Sequence, residues 1–227
     1  MAPWDLVHHG TMGTIVAIAN LKGGVGKSTL TLGLAGACMG EGLRVLIVDA
    51  GEQATARRWA KHAATGKHPR PFIMNLGEGQ AMAEGLRQLR AQWDVILVDL
   101  PPRLGAETTA AMGVAQLVLM PLAPSPADVW ALQQTLTKLQ ETYGYNPKLQ
   151  AMAVWNRVGR TAVGRTIVGQ LEGKVAIAKA TIRDRVAHVE AMMSGRTVTD
   201  YAPSSDADID LRKLAHEVLT MTGAASS

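Results

Sequence analysis

A single cysteine, Cys38, occurs in the whole 227-residue chain. That excludes an internal disulfide framework and a four-cysteine metal cluster. Cys38 sits in an apolar helical pattern, where it reads as a small buried hydrophobe suited to a reducing compartment. No uninterrupted apolar run approaches the roughly 20 residues that a membrane span needs. The first 13 residues hold His8, His9 and Gly10 and lack the apolar core of a signal peptide. Internal repeats and linkers are missing too, and the length is short for two ordinary domains. Charge of one sign does not dominate: 23 Lys+Arg against 19 Asp+Glu give a formal +4. An excess of that size permits an anionic partner such as nucleic acid without demanding one.

What is there is a chain with 47% hydrophobic residues, enough for a buried core. Apolar strand candidates at 14–20, 43–49, 71–75, 94–99, 116–121, 150–156 and 174–179 alternate with helical patterns. The helical stretches fall at 28–40, 53–65, 79–92, 105–114, 127–143, 162–172, 184–194 and 206–221. Continuous β-branched runs suit strands covered on both faces. The expectation is an α/β fold with a mostly parallel central sheet flanked by helices on both faces. Ser28, Ser125 before Pro126, and Ser205 or Asp206 are candidate helix starts. The segment 65–71 reads as a loop. The expected organisation is an N-terminal extension at 1–13, one domain at 14–222 and a disordered tail at 223–227. Trp59, Trp93, Trp130 and Trp155 are assigned to packing. Met82, Met112, Met120, Met152, Met192 and Met193 are assigned to core filling.

The most informative stretch is Lys22-Gly23-Gly24-Val25-Gly26-Lys27-Ser28-Thr29, between the first strand and the first helix. Strand, glycine loop and helix form the context in which backbone N–H groups turn inward around a phosphate. Lys27 adds a point charge on the β- and γ-phosphates, and Ser28 offers its hydroxyl to Mg²⁺. Leu21 stands where the ordinary G-x-x-x-x-G-K-[ST] loop has glycine, and a second lysine, Lys22, follows it. Two lysines facing one tight loop would repel each other without an anion to share. In an open parallel sheet, ligands sit beyond the carboxyl ends of the strands. That rule gathers the loop with Asp49–Gln53 and Asp99–Pro102. Asp99 ends an apolar strand and reads as a carboxylate orienting Mg²⁺-bound water; Asp49 ends its strand in the same way. A simple turn cap is the competing reading for Asp99.

Together these residues resemble the ParA/MinD group of deviant Walker A ATPases, P-loop NTPases, and within it the small ParA-type partition ATPases. The likeness covers about residues 14–222. The loop Lys22–Thr29 carries it, with Asp99-Leu100-Pro101-Pro102 similar to the family's switch II. Asp49-Ala50-Gly51-Glu52-Gln53, with Trp59 further on, is similar to switch I. Ile182-Arg183-Asp184-Arg185-Val186-Ala187, Glu190-Ala191, Gly195, Thr197-Val198 and Leu214 to Leu219 resemble small ParA C-termini. Asn156 falls where the family often places an adenine-contacting Asn. The resemblance implies ATP and Mg²⁺ as ligands, with Ser28, Asp49 and Asp99 on the metal side. It also implies an ATP-bound homodimer in which Lys22 reaches the partner's phosphates; a cation supplied in trans ties hydrolysis to dimerisation.

One departure stands out. The family's switch I usually reads Asp-x-Asp-Pro-Gln, its second Asp positioning the attacking water, and here that place is Gly51. Glu52 is a candidate substitute at the next position. An ordinary variant in which the backbone and Gln53 suffice, or an engineered trap substitution, are the alternatives. Catalytic candidates are therefore Lys22, Lys27, Asp49, Glu52 and Asp99.

Relatives in this group differ in the surface they bind. The tail Leu219–Ser227 has no basic or bulky residues to insert in a bilayer, so no membrane partner is expected. Thirteen leading residues cannot form an operator-binding domain. What remains is non-specific double-stranded DNA, bound by Arg157, Arg160, Arg165, Arg183, Arg185, Arg196, Arg212 and Lys213. The expectation is a cytoplasmic, nucleoid-associated ATPase switch that partitions or positions a cargo with a ParB-like or other adaptor protein. A nucleotide-gated DNA-binding scaffold that scarcely hydrolyses ATP is the alternative. A metabolic P-loop enzyme is a third reading without a substrate signature.

Overall fold

The computed structural model describes residues 12–63, 68–159 and 173–224. Strands β1 (Thr14–Ile18), β2 (Val45–Asp49), β3 (Phe72–Met74), β4 (Val95–Asp99), β5 (Leu117–Leu122), β6 (Gln150–Val158) and β7 (Ala176–Arg183) form one sheet in the order β3-β2-β4-β1-β5-β6-β7. Every adjacent pair is parallel. The helices are α1 (Lys27–Gly40), α2 (Thr55–Ala63), α3 (Gly79–Leu89), α4 (Ala106–Val114), α5 (Pro126–Tyr143), α6 (Val186–Met193), α7 (Val198–Tyr201) and α8 (Asp206–Thr222). The helix expected over 162–172 lies outside the described residues, as do residues 1–11 of the extension and 225–227 of the tail.

Strands β1, β2, β4 and β5 are buried along their whole length, which follows from their continuous apolar sequences. Successive side chains alternate between faces. Val16 and Ile18 pack with α1, α2, α6, α7 and α8 in one core. Ile15 and Ala17 pack with α3, α4 and α5 in the other. The expected fold class is what the chain adopts.

Two differences have physical causes. Strand β7 runs to Arg183 instead of stopping at 179, because its burial alternates: Ala178, Ala180 and Ile182 are buried, while Lys179 and Arg183 face out. An edge strand with one wet face breaks the continuous apolar run that marked the others. Helix α7 is a four-residue turn capped by the Thr197 side chain, which accepts from Asp200 N, and it is too short to carry a period. Among the residues assigned to packing, Trp130 is 69% exposed and Met193 is 72% exposed, so neither fills a core.

The chain order changes direction at β1, whose neighbours are β4 on one side and β5 on the other. Registers Ile18↔Asp99 and Asp49↔Asp99 level the ends of β1, β4 and β2. The loops that leave those ends therefore meet at one place.

Candidate functional site

The loop after β1 is built for close approach. Gly24 and Gly26 hold φ values of 75° and 87°, a region that favours glycine. A Cβ at Gly26 would also lie 2.7 Å from Asn156 Nδ2. Asn156 is buried and donates to the Val25 carbonyl at 2.8 Å, while Arg157 Nη1 donates to the Gly24 carbonyl at 2.8 Å. The loop is thus braced from the end of β6, and Arg157 takes a left-handed φ of 56° to do so. Helix α1 starts at Lys27 with Gly26 as its N-cap, one residue before the expected start. The first N–H groups of a helix have no intrahelical partner and are open to a ligand.

The two lysines have different surroundings. Lys27 is buried, and its Nζ donates to the carbonyls of Asn20 at 2.9 Å and Lys22 at 3.3 Å. Burial pulls the Lys27 ammonium below its ordinary pKa, with Asp99 opposing that shift. Lys22 has its side chain 37% exposed. Its Nζ donates to Ser125 Oγ at 3.3 Å and pairs with Asp128, whose side chain is fully buried. Ser125 and Asp128 form the start of α5, where the Ser125 hydroxyl accepts from Asp128 N as expected of an N-cap. To reach a second subunit, Lys22 must leave this contact.

The two strand-end carboxylates also diverge. Asp49 commits Oδ1 to Gly51 N at 3.1 Å and Oδ2 to Arg57 N at 2.9 Å, with Arg57 Nε 3.7 Å away. It shapes the loop that leaves β2. Asp99 is 2% exposed, and its Oδ1 has no hydrogen-bond partner among the described residues. Burial pushes its carboxyl up to about 6, with the Ser28 hydroxyl bond pulling down, Asp49 pushing up and Lys27 pulling down. An orphaned buried oxygen beside a hydroxyl and an ammonium fits Mg²⁺. Among the described residues no three His, Cys, Asp or Glu cluster to hold a metal. Mg²⁺ is commonly bound through one or two protein groups plus substrate phosphates. Ser28 and Asp99 would hold it, and its chemistry there is to neutralise charge on the phosphates.

Most of these groups line one open cavity of 540 Å³. It contains Gly23, Gly24, Gly26, Lys27, Ser28 and Thr29 from the loop, then Asp49, Glu52, Asp99 and Asn156. Lys22 and Val25 are not among the residues lining it. Sequence reasoning missed Arg103, Asp184 and His188, which line the same cavity. Arg103 directly follows Pro102, so its nearness to the strand end was the available signal. His188 lies far along the chain, and burial lowers its pKa more than Asp184 raises it.

Five of the DNA-binding candidates, Arg157, Arg183, Arg185, Arg196 and Arg212, are engaged within the chain. Arg157 and Arg183 line the cavity. Arg183 lies 3.8 Å from Asp210, Arg185 pairs with Asp206 and Asp210, Arg196 with Asp200, and Arg212 with Asp208 and Glu41. Lys213 is exposed on α8. Arg160 and Arg165 lie outside the described residues. Among the described residues no helix is long and apolar enough to cross a membrane.

Sheet, loop and strand-end carboxylates place the chain among the P-loop nucleotide-binding proteins. It belongs to the CobQ/CobB/MinD/ParA nucleotide binding domain family, whose description matches residues 16–198. It is 27% identical over 208 residues to the maintenance of carboxysome distribution protein A of Halothiobacillus neapolitanus, covering 90% of this chain and 95% of that one. It is 29% identical to the chromosome-partitioning ATPase Soj of Thermus thermophilus, covering 90% and 94%. Among solved structures, cobyrinic acid a,c-diamide synthase from Mycobacterium smegmatis, with bound ATP analogue and magnesium, matches with a TM-score of 0.74. That pair shares 20% identity over 92% of this chain and 94% of the other, and the likeness is one of fold. ATP and Mg²⁺ fit the site as they fit this family.

Proposed function

We propose that this protein is an ATP-dependent dimerisation switch that binds DNA non-specifically and partitions or positions a plasmid, chromosome or other cargo. ATP hydrolysis resets it, and an adaptor protein on the cargo sets when. The observation that carries the reading is the division between the two loop lysines. Lys27 is buried within its own loop, whereas the Lys22 side chain is 37% exposed and would reach a second subunit by exchanging its Asp128 partner. The partition and carboxysome-distribution relatives support it, because each aligns over nearly its whole length.

Light scattering with and without a slowly hydrolysed ATP analogue tests the switch: a monomer without nucleotide should become a dimer with it. Gel-shift titration on unrelated duplexes tests the DNA arm. With about six phosphate contacts, affinity should fall by roughly 1000-fold between about 50 and 200 mM salt. Binding that ignores salt, or that is equal with and without nucleotide, would contradict a nucleotide-gated DNA surface.

Gly51 favours a second reading, a nucleotide-gated scaffold with little hydrolysis. A Cβ at Gly51 would meet Asp49 Oδ1 at 3.3 Å, so a side chain fits there once Asp49 gives by a few tenths of an ångström. Gly51→Asp is expected to raise turnover at least about 10-fold, a modest share of what a positioned acid or base supplies. An unchanged rate would show that the missing carboxylate is not the limitation. Negligible turnover of the native chain with DNA and adaptor present, with dimerisation intact, would favour the scaffold.

A further inference from the structure

Position 51 carries no side chain, but the next residue brings a carboxylate to the cavity wall. Glu52 Oε1 lies 3.1 Å from Arg103 Nη1, across the mouth between the loops that leave β2 and β4. Taken alone the pair is weak, because the Glu52 side chain is 71% exposed and solvent screens it. The other end of Arg103 is different. Its Nη2 holds Oε1 of Glu107 at 2.6 Å, and Glu107 is 3% exposed in the first turn of α4. There the helix N-terminus favours a carboxylate. The second oxygen of Glu107 has no hydrogen-bond partner among the described residues, so this buried anion depends on Arg103. Thr108 Oγ1 donates to the Arg103 carbonyl at 2.8 Å and fixes the backbone as well. Arg103 is therefore anchored on α4 and extends its free side towards Glu52.

The geometry points to Glu52, held by Arg103 from its Glu107 anchor, as the carboxylate that orients the attacking water. Glu52 is then a catalytic residue, and Arg103 and Glu107 are positioning residues. This rests on the ATP-hydrolysis reading above. The other carboxylates lining the cavity are placed for other work. Asp49 has both oxygens on backbone N–H groups, Asp99 is buried beside Ser28, and Asp184 directly follows β7, the edge strand on the other side of β1 from β2 and β4. The ion pair engages Oε1 of Glu52, leaving Oε2 to accept from water. The water oxygen bonds to the γ-phosphorus as the bond from that phosphorus to the bridging oxygen breaks. The bridging electron pair leaves on ADP, one water proton stays on the inorganic phosphate and the other passes to solvent.

The experiment is steady-state ATP turnover of the full chain, with and without DNA, beside binding of a fluorescent ATP analogue and ATP-dependent dimerisation. Glu52→Gln should lower kcat at least roughly 10-fold, with analogue affinity and dimerisation within about twofold of native. Arg103→Ala should lower kcat to a similar degree. Arg103→Lys, which reaches one carboxylate but not both, should restore part of it. In the Gly51→Asp background, Glu52→Gln should cost less than about twofold, because a carboxylate at 51 takes over the water. Native kcat in Glu52→Gln overturns the assignment. So does an equal loss in both backgrounds, which marks a structural clasp. A native chain that binds the analogue and dimerises without turnover also overturns it while leaving ATP binding intact. A native chain that binds no analogue fails earlier, at the ATP reading itself, and takes this inference with it.

Discussion

Lys27→Ala is expected to lose nucleotide, weakening ATP binding by about 3 kcal/mol or roughly 100-fold. The Lys27 ammonium is buried, donates to two backbone carbonyls and is held below its ordinary pKa by desolvation. A charge in that position lacks a full counter-ion until phosphates arrive, so most of its interaction is made with the ligand. Lys22→Ala should behave differently. Monomer affinity should stay within about twofold, while ATP-dependent dimerisation and turnover are lost. It should also lower the melting temperature, because the fully buried carboxylate of Asp128 loses its cation. Lys22→Ala combined with Asp128→Asn separates these effects: stability returns and dimerisation does not. Calorimetric titration of nucleotide into each variant decides the matter. Equal losses of affinity in Lys22→Ala and Lys27→Ala would sink the assignment of one lysine to each subunit.

The parts of this site that were legible in the sequence are those written in contiguous residues. The glycine loop between an apolar run and a helix, and Asp99 at the end of Val95-Ile96-Leu97-Val98, need only local pattern and the strand-end rule. Burial on both faces made the central strands continuous apolar runs, so their positions could be read closely. What was hidden depends on distant pairing. Lys22 and Asp128 are separated by 106 residues, and no local spacing announces their contact. Arg157 looked like a surface cation, yet it braces the loop through the Gly24 carbonyl. Asp49 and Asp99 looked equivalent as strand-end carboxylates. Only the hydrogen-bond partners distinguish them, because the turn after Asp49 folds its own N–H groups back onto the side chain. The exposure of Trp130 on α5 was equally invisible, since a helix with mixed faces does not reveal which one its partner elements leave open.

Asp99→Asn should stabilise the nucleotide-free protein while disabling it. Burial is the main reason the Asp99 carboxyl rises from 3.8 to about 6. Because the folded pKa lies above the unfolded one, the folded state holds the proton more tightly. The favourable contribution is therefore complete below about pH 4 and lost as pH rises through about 6. At about pH 7.5 the ionised group costs on the order of 3 kcal/mol relative to its protonated form. Removing the charge should raise the melting temperature by up to roughly 10 °C at that pH, and by about half as much at about pH 5, where the unfolded carboxyl is already ionised and the folded one is not. Lys27 limits the gain, since it loses the carboxylate that opposes its own desolvation. The same substitution takes away the orphaned Oδ1 and the partner of Ser28, so Mg²⁺-dependent turnover should fall at least roughly 100-fold. Added Mg²⁺ and ATP should narrow the stability gap, because they stabilise the native chain more than the variant. Thermal melts from about pH 5 to 8 provide the measurement. A variant that melts below the native protein at about pH 7.5 without nucleotide would refute the account, as would a gap that does not change with pH. If both features hold, the ionised carboxylate costs folding stability at neutral pH and lowers the energy of the nucleotide complex instead.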